Sequence, residues 1–181
     1  MSRFKVALIG ASGVGKSNLA HRFADNAFDP HMQSDIAGKC YSKTLERSDT
    51  SITLDIWTTP GTNTSYNGFY YKEAHIIGLT FDLTSDHALA KLSQTYSTLD
   101  KIKKSAAPNA QFLLLGTKGD LTEDIKVSQE EIKGFQKTHN IPHYVQTSAK
   151  TSEGIARLGA IIKSCTLTLI PQKKPEKNLV L

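Results

Sequence analysis

The octapeptide Gly10-Ala-Ser-Gly-Val-Gly-Lys-Ser17 constrains this chain more than any other segment. It follows a short apolar run, Phe4 to Ile9, that reads as a buried strand. It precedes Lys16–Asp25, where Leu19, Ala20 and Phe23 recur at helical spacing. A strand, a turn of pattern G-x-x-x-x-G-K-[ST] and a helix make a phosphate-binding loop. Gly10, Gly13 and Gly15 let the backbone wrap with its N–H groups inward, as a nest for anionic oxygens. The helix starting at Lys16 aims its positive dipole end at the same place. The expected phosphate contacts are Gly13, Val14, Gly15, Lys16, Ser17 and Asn18. Lys16 would reach the β- and γ-phosphates, and the Ser17 hydroxyl would ligate Mg2+.

Further strands are expected at Lys39–Leu45, Ser51–Trp57, Ile76–Leu83, Gln111–Gly116 and His143–Gln146. Helices are expected at Ala88–Lys104, at Ser128–His139 with Ser128 and Glu131 as a capping box, and at Ser152–Leu169. Residues 26–37 and 58–68 read as loops. Strands that alternate with helices give an α/β domain with a mainly parallel sheet. The polar turn at Glu46–Thr50 makes one edge an antiparallel hairpin. A chain of 181 residues suits one domain, over 1–170, followed by a flexible tail at 171–181 that carries Lys173, Lys174 and Lys177.

Composition narrows the function classes. The net charge is +5, but the basic residues are dispersed, so nucleic acid is not an expected partner. Two cysteines, Cys40 and Cys165, are too few for a disulfide framework, which points to a reduced, cytoplasmic setting. No apolar run approaches the ~18 residues of a membrane span. The second residue is Ser2, where N-myristoylation needs glycine.

Two further segments would read a base. Thr117-Lys-Gly-Asp120 follows the strand at 111–116, and the Asp120 carboxylate can accept two hydrogen bonds from the N1–H and N2–H2 edge of guanine. Adenine has no such donor pair and would leave a buried acceptor unpaired. Lys118 would lay its stem along the base plane. Thr147-Ser148-Ala149-Lys150 follows the next strand, where the Ala149 N–H would meet the guanine O6. Both segments stand at carboxyl ends of strands, where open α/β sheets bind ligands.

Gly10–Ser17, Thr117–Asp120 and Thr147–Lys150 together resemble the Ras superfamily of small GTPases, over roughly residues 3–170 and closest to its Rab branch. Arg22-Phe-Ala-Asp-Asn-Ala-Phe28-Asp-Pro30 resembles the Rab approach to switch I, and Trp57 and Tyr70-Tyr71-Lys72 resemble positions around switch II. The resemblance implies the P-loop fold, with a six-stranded, mostly parallel sheet, one antiparallel edge strand and five helices. It implies GTP/GDP and Mg2+ as cofactors, and a monomeric switch of the vesicle-trafficking type. Phe28 would pack edge-on against guanine. Trp57 and Tyr70 would form an aromatic patch for effector, exchange-factor or activating proteins. The family usually ends in prenylated cysteines. This chain ends Asn178-Leu-Val-Leu181 without a prenylation cysteine, so either the C-terminus is trimmed or the protein is not prenylated, and the basic tail by itself would make only weak membrane contact.

The departures bear on chemistry. Counting from Phe28, the switch I Thr that binds Mg2+ and γ-phosphate is replaced by Asp35. The family pattern D-x-x-G-Q becomes Thr58-Thr-Pro-Gly61-Thr62, which puts Thr58 at the metal-shell Asp and Thr62 at the water-orienting Gln. The Tyr70-Tyr71 pair comes about two residues early, and Cys40 stands where the aromatic patch has Phe. The catalytic set is then Lys16, Gly61 and a degenerate Thr62. The candidate metal ligands are Ser17, Asp35 and Thr58, with Asp35 approaching from the opposite loop or repelling γ-phosphate. Hydrolysis is expected to be slow. The alternative is an inactive scaffold or decoy locked in one nucleotide state. A nucleotide kinase is disfavoured by the Lys118/Asp120 pair.

Overall fold

Six strands form one sheet in the order β2-β3-β1-β4-β5-β6. They are β1 (Ser2–Ile9), β2 (Cys40–Glu46), β3 (Ser51–Thr58), β4 (Ile76–Asp82), β5 (Gln111–Thr117) and β6 (His143–Gln146). The edge strand β2 runs antiparallel to β3, from Cys40↔Trp57 to Glu46↔Ser51, and every other pairing is parallel. The computed structural model describes residues 2–33, 37–46, 51–61, 68–95 and 99–169.

Central β4 is buried along its whole length, as a parallel strand covered on both faces must be. The helices are α1 (Lys16–Asp25), α2 (Gly68–Tyr71), α3 (Ala88–Thr95), α4 (Leu99–Ser105), α5 (Gln129–His139) and α6 (Ile155–Leu169). Leu19 and Phe23 of α1 and Leu158 and Ile162 of α6 pack on Val6, Leu54 and Leu113 across one face. On the other face Leu92, Ile102, Ile132 and Phe135 pack on Ile77, Leu79 and Leu114.

The expected architecture holds, including the antiparallel edge and the Ser128–Glu131 capping box. Helix boundaries differ from the sequence reading. The single helix read over Ala88–Lys104 is described as α3 and α4, with residues 96–98 outside the described residues, and α2 is a one-turn helix too short to show a repeat. Together they bring the four helices read from the sequence to six among the described residues, against the five the resemblance implies. The last helix starts at Ile155 rather than Ser152 because Ser152 (φ 70°) and Gly154 (φ 73°) take left-handed backbone conformations. Both cysteines are free thiols. The tail at 171–181, Asp35 and Thr62 lie outside the described residues.

Leu79 is fully buried at the centre of the second core. Leu79→Ala is expected to cost about 2–5 kcal/mol through lost transfer energy and the residual cavity. The loss should appear as a lower urea midpoint at unchanged slope.

Candidate functional site

The loops that leave the carboxyl ends of β1, β3, β5 and β6 converge on one side of the sheet. Between β1 and β4 the strand order changes direction, and α1 and α3 depart toward opposite faces. Open α/β sheets bind ligands at such a point. A cavity of about 410 Å³ opens there, within the ~300–1,000 Å³ of small-molecule sites. Gly13, Gly15, Lys16, Ser17 and Asn18 line it together with Phe28, Gly61, Thr117, Lys118, Asp120, Ala149 and Lys150. Two sets of residues about a hundred positions apart in sequence therefore share one cavity.

In the phosphate loop, Gly13 (φ 76°) and Gly15 (φ 94°) are left-handed, which turns successive N–H groups the same way. Gly15 caps α1 with no side-chain hydrogen bond, and the first turn holds no acidic residue, so no side chain of the helix itself competes for an anion at that end. The Lys16 ammonium donates to the carbonyls of Gly10 (2.9 Å) and Ala11 (2.7 Å) and is 6% exposed. Its charge is thus housed within the loop that it serves. The Thr117 hydroxyl lies 2.6 Å from the Val14 carbonyl and 3.0 Å from that of Phe81, and shares its single proton between them. Val14 therefore binds the loop to β4 and β5 rather than facing the cavity.

At the other end, the Ser148 hydroxyl donates to Asp120 Oδ1 at 2.6 Å and accepts from the Thr151 N–H. Ser148 is fully buried and orients the carboxylate without lining the cavity itself. Arg22 of α1 donates to the Ala149 carbonyl at 2.6 Å and to the Lys150 carbonyl at 3.4 Å, which fixes the loop that carries the Ala149 N–H. The side chain of Asn18 donates to the Asp29 carbonyl and accepts from its N–H, which holds the segment after Phe28 in place. Lys118 (φ 60°) forms an ion pair with Asp82 at 2.6 Å. Burial acts to raise the Asp82 pKa, and the Lys118 and Thr84 hydrogen bonds outweigh it, so the carboxyl sits below its ordinary range.

Thr58 differs from its sequence reading. Its hydroxyl accepts from the Lys39 N–H at 3.0 Å, it is fully buried, and it does not reach the cavity. Of the two described candidates for a metal, Ser17 faces the cavity and Thr58 joins the start of β2 to β3. Among the described residues no group of three His, Cys, Asp or Glu could hold a metal unaided. The donor set therefore suits Mg2+ only where ligand oxygens complete the shell around Ser17. Gly61 approaches the phosphate loop so closely that a Cβ would stand 2.1 Å from Ser12 Cα. No side chain fits at that position.

Trp57 and Tyr70 do meet, with ring centroids 6.4 Å apart. Phe69, missed in the sequence, completes the patch edge-to-face, 5.8 Å from Trp57 and 5.6 Å from Tyr70, and is 67% exposed. Lys5 lies 5.3 Å over the Trp57 ring and donates to the Phe69 and Lys72 carbonyls. Burial holds its pKa below the ordinary lysine value. The Gly38 N–H donates to the Tyr70 hydroxyl, which connects the approach to β2 with α2. Met32, Gln33 and Leu121 also line the cavity without having been read from the sequence.

The Ras family model matches residues 5–165. Among similar proteins are Ras-related protein Rab-1 of Theileria parva, 33% identical over 98% of this chain and 82% of that protein, and Ras-related protein RABD2b of Arabidopsis thaliana, 37% identical over 84% and 74%. Ras-related protein Rab-30 of Homo sapiens is 33% identical over 86% of this chain and 75% of its own.

The low Asp82 pKa has a consequence for acid stability. A depressed carboxyl contributes stability that is fully present above its unfolded value of about 3.9 and is lost as pH falls through the folded value. In urea titrations, the gap between the protein and Asp82→Asn is therefore expected to be constant at neutral pH and to shrink only below about pH 4. A gap that persists unchanged into strong acid would mean that the ionised pair is not its source.

Proposed function

The chain belongs to the Ras family, in its Rab-like branch, and on that premise we propose a guanine-nucleotide switch of the vesicle-trafficking type whose GTP hydrolysis is slow. The observation that carries the nucleotide reading is the pairing, in one cavity, of the left-handed glycine nest with a carboxylate oriented by Ser148. Phosphates occupy Gly13–Ser17 and the base occupies Asp120, Lys118, Ala149 and Phe28. Asp120 accepts from the guanine N1–H and N2–H2, and Ala149 donates to O6. Ser17 would hold Mg2+, which would supply charge neutralisation on the phosphates. Nucleotide and water oxygens would complete its shell, with Asp35 a further candidate ligand.

Two features support slow hydrolysis. The Thr58 hydroxyl is engaged with Lys39 and brings no carboxylate to the metal shell. Thr62 is too short to hold an attacking water as Gln does. Phosphoryl transfer depends on positioning and charge stabilisation, so both losses act on the transition state. The surface of Trp57, Phe69 and Tyr70 is the contact for effector, exchange-factor or activating proteins, and the protein works in the cytoplasm as a monomer with weak membrane contact through its basic tail.

Competition for the purified protein tests the base reading. GDP is expected to displace bound GTP while ATP does not. Asp120→Ala is expected to erode the guanine preference by at least about a hundredfold, roughly 3 kcal/mol for two lost hydrogen bonds to a charged acceptor. ATP competing as well as GDP would overturn it.

Single-turnover hydrolysis tests the rate. It is expected to fall below the roughly 10⁻⁴ s⁻¹ of an unassisted small GTPase that keeps its Gln. Thr62→Gln alone is expected to restore little, whereas Asp35→Thr, Thr58→Asp and Thr62→Gln combined rebuild the metal shell and the water site. An unmodified protein that matches ordinary Rab-like rates refutes the slow-hydrolysis proposal. Bound nucleotide with no turnover, with or without Mg2+, assigns the chain to the scaffold class instead.

A further inference from the structure

We infer that Asp82 is a positioning residue for the nucleotide site, its carboxylate holding the Lys118 ammonium so that the lysine stem stands as a fixed wall of the cavity. The inference rests on the nucleotide reading above. Its grounds are geometric. Asp82 is the last residue of β4 and pairs in register with Thr117, the residue before Lys118. One carboxylate oxygen, Oδ1, is taken by the Thr84 N–H (2.8 Å) and the Thr84 hydroxyl (2.7 Å). That leaves Oδ2 aimed at Lys118, 2.6 Å away.

The lysine would otherwise be a poor wall. A free lysine side chain samples many rotamers, which a ligand must freeze when it packs on the stem. Lys118 is two-fifths exposed along its side chain and lines the cavity, yet its two ends are fixed: the backbone by a left-handed turn (φ 60°), the ammonium by a carboxylate only 11% exposed. Asp82 itself does not line that cavity. It acts only through Lys118, which separates it from Asp120, whose carboxylate meets the base. Thr84 is the outer support, because it sets which Asp82 oxygen is available. The low Asp82 pKa keeps this clamp charged well below neutral pH.

Dissociation of radiolabelled GDP from the full chain, chased with unlabelled GDP, tests the inference in a double-mutant cycle. Asp82→Asn is expected to release GDP about tenfold faster, equivalent to about 1.4 kcal/mol. Lys118→Met is expected to release it at least as fast. The double variant should match Lys118→Met within about twofold, because Asp82 has no route to the nucleotide except the lysine. A merely structural Asp82 would add its full effect in the Lys118→Met background, and that result overturns the inference, as does an unchanged rate in Asp82→Asn. If Asp82→Asn does not fold, Asp82→Glu with and without Lys118→Met completes the same cycle, because the longer acid displaces the ammonium while keeping the charge. Failure to hold GDP in the unmodified protein removes the nucleotide reading and this inference with it. Additive losses with GDP binding intact remove this inference alone.

Discussion

A buried ammonium sits inside a ring of main-chain dipoles. Lys16 is enclosed by its own loop, with the Gly10 and Ala11 carbonyls on its Nζ, and a cation so desolvated is tolerable only where such partners are fixed in place. That fixity comes from elsewhere. The Thr117 hydroxyl holds the loop from β5, Gly61 presses on Ser12 from the end of β3, and Leu19 of the following helix is fixed in the core. Two of these supports come from the ends of different strands and the third from a helix fixed in the core, so the site exists only once sheet and helix have been assembled. The core is therefore the frame that keeps one charge in register, and the function of the cavity follows from the accuracy of that frame.

Much of this was legible in the residues because the signals are local. Gly10–Ser17 carries its own conformational demands, and the apolar runs before Gly10, Thr117 and Thr147 place three loops at strand ends without any long-range information. The antiparallel edge was readable from a polar turn between two alternating runs. What stayed hidden depends on distance along the chain. Arg22 meets the Ala149 carbonyl across 127 positions and Lys118 meets Asp82 across 36, and neither spacing leaves a trace in periodicity. Thr58 shows a related limit. Its place in the family pattern implies a metal role, while in the fold its hydroxyl accepts from the Lys39 N–H just before β2. Phe69 was overlooked because a four-residue helix offers no repeat to read.

The region between the two switches is held together by main-chain groups more than by apolar contact. Thr58 bonds Lys39, Gly38 bonds Tyr70, and Lys5 reaches from β1 to two carbonyls at α2 while covering Trp57. The Trp57 and Phe69 ring faces beneath a partly desolvated cation add attraction of about 0.5–2 kcal/mol. The approach to β2 is thus bonded to β3 through Thr58 and to α2 through Tyr70, while Lys5 bonds α2 to β1.

Trp57 is the chain's one tryptophan. It is sandwiched by Lys5, Phe69 and Tyr70, at the junction of β3 with α2. Indole emission responds to nearby charge and to solvent, and here both are set by the contacts that join β1, β3 and α2. The protein thus contains a native optical gauge at the junction of β1, β3 and α2. Rearrangement of that junction can be followed in unlabelled material, in real time, as a change in colour and brightness with no competing indole elsewhere in the chain.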